Sequence, residues 1–241
     1  DSHGAGLGYL SEIERIRISY LREEPDAPQF VIAKFPTSSE KSRALATLFD
    51  SYSREVLFYK ELASSLDVAM PQCFWADITP ETFSERLTGS IVKLLPEKMV
   101  VGLLDKLLAG AGTSSRRSGL LLEDLSDDRV GDQVEGCNLE EAQAALRSLV
   151  KFQSTFWGRS FEDVPWIHNG ADQSQVQHGL FMKALPTYME VFKDDIDQQT
   201  SKQLDWLIDN GAALLEANNT HATLNHGDFR LDNLFFRSNG E

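Results

Sequence analysis

The sequence predicts an α+β fold with two lobes, because strand patterns dominate its first half and helical patterns dominate its second half. Alternation of apolar and polar residues indicates strands near residues 16–20, 30–35, 74–83 and 119–124. From residue 138 onward the periodicity is helical. With 241 residues, of which 41% are hydrophobic, the chain can form a sizeable core in one large domain or two lobes. A cleft between two lobes is a typical position for a ligand.

Charge and cysteine content exclude several classes of function. The chain has 37 acidic and 23 basic residues, and its net charge of -14 would repel the phosphates of DNA and RNA. Its two cysteines, Cys73 and Cys137, are too few for a disulfide framework or a zinc site. No apolar run approaches the roughly 20 residues that a membrane span needs. We therefore expect a cytoplasmic protein without a nucleic-acid partner and without a membrane span.

A glycine cluster lies just before the first predicted strand. Gly4, Gly6 and Gly8 occupy alternate positions there. Glycine-rich turns with free backbone N–H groups can close over phosphates, because no Cβ blocks the approach. Ordinary tight turns contain such clusters as well, so this pattern by itself leaves both interpretations open.

Lys34 lies on an apolar face of the second predicted strand. Alternation along residues 30–35 places Lys34 on the same face as Phe30 and Ile32. A lysine in this position needs an explanation, because ammonium groups are rarely surrounded by apolar side chains. Either the side chain extends past its neighbours to water, or it points into a cleft where it holds an anion.

Glu55 lies in a predicted helix over residues 50–64, at the edge of an apolar stripe that includes Val56 and Tyr59. A glutamate on a helix is usually a solvated surface charge. At the edge of this stripe, however, Glu55 can reach a neighbouring strand, and Lys34 lies on a strand against which such a helix would pack. The two residues are therefore candidates for an ion pair.

The connection over residues 83–118 is unusually long for a link between two strands. Its apolar residues from Val100 to Leu108 recur with helical spacing, and a short Ser/Arg segment follows. This pattern favours a helix that packs on the core. A lid, a dimer contact and a helix on a membrane surface remain alternatives.

Three helices and a polar loop follow. Asn138 and Glu141 form a capping pattern at the start of a helix that extends to about Trp157, and two more helices cover residues 174–193 and 200–217. The loop HGDFRLDN, at residues 226–233, then precedes a short predicted strand.

The polar groups of this loop suit phosphoryl transfer. Transfer from ATP to a hydroxyl needs a carboxylate that orients the hydroxyl and accepts its proton, and an oxygen ligand for magnesium. Asp228 and Asn233 can supply both. Arg230 and Asp232 are interpreted as solvent-facing charges or as anchors of the loop, because neighbours in an extended loop point in different directions.

Seven motifs resemble, in the same order, those of the aminoglycoside phosphotransferase and choline kinase-like families, which share the protein-kinase fold. They are GAGLGYLS at residues 4–11, VIAK at 31–34, REVLFY at 54–59, LLLEDL at 120–125, GDQ at 131–133, FWG at 156–158 and HGDFRLDN at 226–233. More narrowly, the chain resembles the ecdysteroid kinase-like branch. The motifs extend over nearly the whole chain.

The resemblance implies a bilobal protein-kinase-like fold that binds ATP and Mg²⁺. A β-rich N-lobe would cover residues 1–125, including the inserted segment at about 83–118, and a helical C-lobe would cover 126–241. By this resemblance, Lys34 would hold the α- and β-phosphates and would pair with Glu55. Further nucleotide contacts would come from Gly4, Gly6 and Gly8 over the phosphates, and from the backbone of Glu123, Asp124 and Leu125 at the adenine.

For the catalytic loop, the resemblance implies that Asp228 is the catalytic base and Asn233 a magnesium ligand, while His226 supports the loop. The expected activity is therefore transfer of the γ-phosphate of ATP to a hydroxyl group of a small molecule. Hydrolysis with a metal held by His226 and Asp228 is disfavoured, because it would leave Lys34 and Glu55 without a purpose.

Departures from the family pattern leave an alternative function open. The second magnesium-binding aspartate of the family would lie shortly beyond Glu241, and no strand precedes the glycine cluster. We therefore expect that the chain is trimmed at both ends. The missing aspartate and the apolar insert are also compatible with a nucleotide-binding pseudokinase or an interaction module.

Overall fold

The computed structural model describes residues 10–22, 24–83, 87, 97–112, 116–167, 174–217 and 222–237. The chain divides into two compact units. Unit 1 comprises Asp1–Thr79, Gly112–Ser160 and Ala222–Glu241, and unit 2 comprises Pro80–Ala111 and Phe161–His221. The fold is α+β, as the sequence predicts, with a small antiparallel sheet in the first half of the chain and mostly helices in the second. The lobe boundaries expected from the sequence stay a prediction.

Four antiparallel strands form the main sheet of unit 1. They are β1 Ser11–Arg17, β2 Phe30–Pro36, β3 Cys73–Ile78 and β4 Ser118–Glu123, in the order β1-β2-β4-β3. On β2, Ile32 lies opposite Leu122 of β4, and Lys34 lies opposite Leu120. Because directly paired residues point to the same side of a sheet, these four side chains share one face.

A helical segment covers this face of the sheet. Helix α1, Glu40–Leu48, is followed by α2, Ser51–Leu57, which continues as a π-helical turn over Phe58–Leu62. Val56 of α2 is 1% exposed and forms the core with Leu120 and Leu122, while Ile32 packs against this cluster. Burial of these apolar side chains fixes the position of α2 on the sheet.

The long connection contains helix α3, Glu97–Gly112. Leu103, Leu107 and Leu108 are half-buried on this helix, whereas Met99 is exposed. Residues 84–86, 88–96 and 113–115 of the connection lie outside the described residues. The predicted helix is thus present, and its function stays a prediction.

Three longer helices lie in the second half of the chain. They are α4 Leu139–Thr155, α5 Ser174–Val191 and α6 Gln198–Ala217. The predicted capping box of α4 is present: the Asn138 side chain accepts from the Glu141 amide, and the Glu141 side chain accepts from the Asn138 amide. In the described part of the chain, every helix is too short or too polar to cross a bilayer.

A second, two-stranded sheet joins the loop at residues 226–233 to the chain that follows β4. Strand β5, Arg129–Val130, pairs with β6, Phe235–Phe236, which follows the loop. The Gly131 amide extends the contact by donating to the Leu234 carbonyl at 2.9 Å. The end of the loop therefore lies against residues that precede it in sequence by about one hundred positions.

Candidate active site

Lys34 and Glu55 form an ion pair on the face of the sheet that α2 covers. The Lys34 Nζ lies 2.6 Å from the Glu55 Oε1, and the two side chains are 27% and 33% exposed. The position of Lys34 follows from the register of β2 against β4, and Glu55 directly precedes the buried Val56 of α2. Both charges are therefore held by elements that pack on the same core, in a charge-assisted hydrogen bond.

The groups beside Glu55 remain uncharged. Burial raises the pKa of the Tyr59 hydroxyl, and the Glu55 carboxylate raises it further. Burial likewise raises the pKa of the Cys73 thiol, with a smaller contribution from Glu55. Tyr59 and Cys73 thus carry no negative charge that competes with the Glu55 carboxylate for Lys34.

The catalytic-loop candidate begins with a turn at Gly227. Gly227 has a φ of +83°, a conformation that side-chain-bearing residues rarely adopt. The turn brings the Asp228 amide to the His226 ring, where it donates to Nδ1 at 3.3 Å. Because Nδ1 accepts this hydrogen bond, the proton of a neutral His226 lies on Nε2.

The pKa of His226 lies below its usual value, and the charges that act on it include both members of the ion pair on the sheet. Burial of the imidazole lowers its pKa, and Lys34 acts in the same direction. The carboxylates of Asp228 and Glu55 oppose this effect in part. Since Lys34 and Glu55 both act on His226, the structure brings the loop and the ion pair into one region of unit 1.

Asn233 closes the loop onto Asp228. The 3-10 turn Leu231–Asn233 places its side chain so that Nδ2 donates to the Asp228 carbonyl and to the Asp228 Oδ2, each at 2.8 Å. The Asp228 side chain is 67% exposed. The carboxylate is therefore accessible to a substrate while its orientation is held from one side.

Arg230 and Asp232 also hold the loop. The Arg230 Nε lies 3.5 Å from the Asp228 Oδ1, and its Nη1 lies 3.1 Å from the Asp232 Oδ2. Asp232 in turn accepts from the Gln133 amide at 3.0 Å. Of the two interpretations that the sequence allows for Arg230 and Asp232, the structure therefore shows anchoring of the loop. Gln133 belongs to the GDQ motif at residues 131–133, but the sequence does not indicate its contacts, because its partners lie 98 and 99 positions away.

Several polar groups at the end of β4 and in the segment that follows it form hydrogen bonds or an ion pair with other parts of the protein. The Glu123 amide donates to the Gln72 carbonyl at 2.8 Å, and the Leu125 carbonyl accepts from the Asp128 amide at 3.0 Å. Asp124 pairs with Arg15 at 2.7 Å. Burial raises the pKa of the Asp124 carboxyl, but hydrogen bonds from Arg15 and Ser126 outweigh this effect and hold the pKa below its usual range. The Leu125 N–H donates to no other described residue.

Oxygen atoms near Asp228 suit magnesium. The Asn233 Nδ2 makes the two hydrogen bonds to Asp228, which leaves its Oδ1 as an acceptor, and Mg²⁺ prefers carboxylate and amide oxygens. In the described part of the chain, no group of three or more His, Cys, Asp or Glu side chains could hold a metal by itself. The Asn233 amide oxygen alone fits Mg²⁺ only where other ligands, such as phosphates and water, complete the coordination shell.

The nucleotide-contacting glycines predicted from the sequence, Gly4, Gly6 and Gly8, lie outside the described residues. All other predicted site residues lie in unit 1. The structure brings together the Lys34–Glu55 pair and the loop that contains His226, Asp228 and Asn233.

Comparison with known proteins gives one match. The model of the ecdysteroid kinase-like family matches residues 5–241, a range that contains the sheet, the Lys34–Glu55 pair and the loop at residues 226–233. No curated protein and no solved structure matches the chain. The family match confirms the resemblance that the seven sequence motifs indicate.

Proposed function

The chain belongs to the ecdysteroid kinase-like family, and we propose that it is a kinase that transfers the γ-phosphate of ATP to a hydroxyl of a small molecule. Family membership supports kinase-like chemistry in general. The observation that carries the more specific proposal is the Lys34–Glu55 ion pair, in the same compact unit as Asp228 and Asn233. Because Cys73 and Cys137 are both free thiols, we also propose a cytoplasmic location.

On the nucleotide side, Lys34 binds the α- and β-phosphates. Glu55 holds the ammonium in place, since the carboxylate lies 2.6 Å from Nζ and both charges rest on packed elements. The Leu125 N–H donates to the adenine, and the backbone of Gly4, Gly6 and Gly8 covers the phosphates. Asp124 contributes its backbone only, because Arg15 holds its carboxylate.

On the acceptor side, Asp228 orients the substrate hydroxyl and accepts its proton. The hydroxyl oxygen forms a bond to the γ-phosphorus while the bond to the β–γ bridging oxygen breaks, and ADP leaves. Asn233 fixes the Asp228 carboxylate through Nδ2, and neutral His226 holds the Asp228 amide. When bound, Mg²⁺ neutralises charge on the phosphates, with the Asn233 Oδ1 as the proposed protein ligand.

The test compares Asp228→Asn with the wild type in the full-length protein. A thermal-shift assay first measures binding of Mg-ATP, and ADP release is then measured against a panel of hydroxylated small molecules. Loss of the base should lower kcat by about 10²–10⁴, while the thermal shift with Mg-ATP is retained. Asp205→Asn, at an exposed position on α6, is the matched control and should leave kcat and the thermal shift with Mg-ATP unchanged.

Two outcomes would contradict the proposal. If Asp228→Asn transfers phosphate to the best acceptor as fast as the wild type, Asp228 is not the base. If the wild type binds Mg-ATP and phosphorylates no hydroxyl compound, the chain is a nucleotide-binding module instead of a kinase.

A further inference from the structure

One residue of a short segment that is distant in sequence makes two hydrogen bonds to the loop at residues 226–233. This segment, Gly131–Gln133, follows β5. The Gln133 amide donates to the Asp232 Oδ1 at 3.0 Å, and the Gln133 Oε1 accepts from the Leu231 amide at 3.1 Å. Gln133 thus bonds to two consecutive residues of the loop, once as donor and once as acceptor.

Close backbone contact holds the segment in this position. A Cβ added to Gly131 would lie 2.5 Å from the Leu231 carbonyl oxygen, so only glycine fits there. The Gly131 amide donates to the Leu234 carbonyl at 2.9 Å, next to the paired strands β5 and β6. The backbone that precedes Gln133 is therefore held against the loop independently of the Gln133 side chain.

The contacts of Gln133 lead to Asp228 through two side chains. Asp232 holds the Arg230 Nη1 with its second oxygen, at 3.1 Å. The Arg230 Nε, in turn, lies 3.5 Å from the Asp228 Oδ1. Because one guanidinium bridges both carboxylates, displacement of residues 231–232 would also displace the group beside Asp228.

We infer that Gln133 is a positioning residue for phosphoryl transfer, which holds the loop so that Arg230 and Asn233 orient Asp228. This inference rests on the proposed function, since it assumes that Asp228 accepts the substrate proton. In this role Gln133 acts without contacting the nucleotide or the acceptor. Its effect on rate comes from geometry, because small displacements of a catalytic group slow the chemical step strongly.

The experiment uses three variants of the full-length protein. Gln133→Met keeps the side-chain volume and removes the acceptor, and Gln133→Glu restores an oxygen at the acceptor position. Gln203→Met, at an exposed position on α6, is the control. Amide hydrogen exchange at Leu231, kcat, KM for ATP and the melting temperature are measured for each.

In Gln133→Met we expect faster exchange at the Leu231 amide, because its hydrogen bond is lost. We expect kcat to fall about tenfold, with KM for ATP within about twofold of the wild type, since Lys34 and Glu55 are unchanged. Gln133→Glu should bring both the exchange rate at Leu231 and kcat most of the way back to the wild-type values. If Gln133 contributed only to stability, the substitution would lower the melting temperature, and it would not lower kcat selectively while KM for ATP stays near the wild-type value.

Two results would overturn the inference. Unchanged exchange at Leu231 in Gln133→Met would show that Gln133 does not hold the loop, and unchanged kcat despite faster exchange would show that this contact does not position Asp228. A wild type that binds Mg-ATP but transfers no phosphate contradicts the proposed function and the positioning role together. In that case exchange at Leu231 still decides whether Gln133 anchors the loop.

Discussion

The Lys34–Glu55 pair and the loop at residues 226–233 are held in place by different forces. The ion pair rests on a strand and a helix that share an apolar core around Val56. The loop is largely exposed and is held by individual hydrogen bonds and ion pairs, such as those of Asp232. Substitutions under the ion pair should therefore change the stability of the fold, whereas substitutions in the loop should act locally.

A large effect is expected on the nucleotide side. Lys34→Met removes the cation proposed to bind the phosphates and should lower kcat/KM for ATP by about 10²–10³, since it removes one group that stabilises transition-state charge. Lys60→Met, at an exposed ion pair with Asp77, should have little effect on turnover. Steady-state kinetics with varied ATP make the comparison, and equal rates for the two variants would refute the role of Lys34.

The next effect tests whether packing holds the ion pair. Val56→Ala removes two methyl groups from a side chain that is 1% exposed and should lower the free energy of unfolding by about 2 kcal/mol. Val150→Ala makes the same change where the residue is 62% exposed, and should cost less than about 0.5 kcal/mol. Denaturant unfolding measures both. Similar losses at the two positions would show that the core beneath Glu55 does not contribute as described.

The smallest effect concerns the pH dependence of the loop. The pKa of His226 is lowered in the folded protein by burial. An unfolded histidine titrates near 6.5, so below about that pH the unfolded state binds more protons and the folded state loses stability as pH falls. His226→Asn keeps an acceptor for the Asp228 amide and removes the titration.

Unfolding of both proteins is therefore compared at about pH 7.5 and about pH 5.5. On this acidification the wild type should lose more stability than His226→Asn, by less than about 1 kcal/mol because the residue keeps contact with solvent. An identical loss in the two proteins would show that burial of the imidazole does not suppress its protonation.

Much of the fold could be predicted because its elements follow local rules. Strand β2 follows from alternation, and the start of α4 follows from the capping box of Asn138 and Glu141. Helix α1 was not predicted. Its buried side chains, Ala44 and Ala46, are small and make no apolar stripe. Its start depends on the Ser39 cap, and its burial depends on neighbours that are distant in sequence.

The π-helical turn at Phe58–Leu62 was also not predicted. The sequence indicates one regular helix over residues 50–64, but the Ala63 amide donates to the Phe58 carbonyl, five residues earlier. A π-helical turn contains one residue more than an α-helical turn and has different backbone hydrogen bonds, but the order of apolar and polar residues in the sequence does not reveal it. Such a turn is therefore not visible in hydrophobic periodicity.

For the candidate site, the sequence alone determined which groups are available: a lysine on an apolar strand face, a glutamate at the edge of a helix stripe and the polar loop HGDFRLDN. Only the tertiary structure decided which groups meet. The 2.6 Å contact between Lys34 and Glu55 depends on packing of α2 against β2 and β4. The contacts of Gln133 with Leu231 and Asp232 join residues 98 and 99 positions apart. Propensity and periodicity act over a few residues, whereas contacts at such separations exist only after the chain has folded.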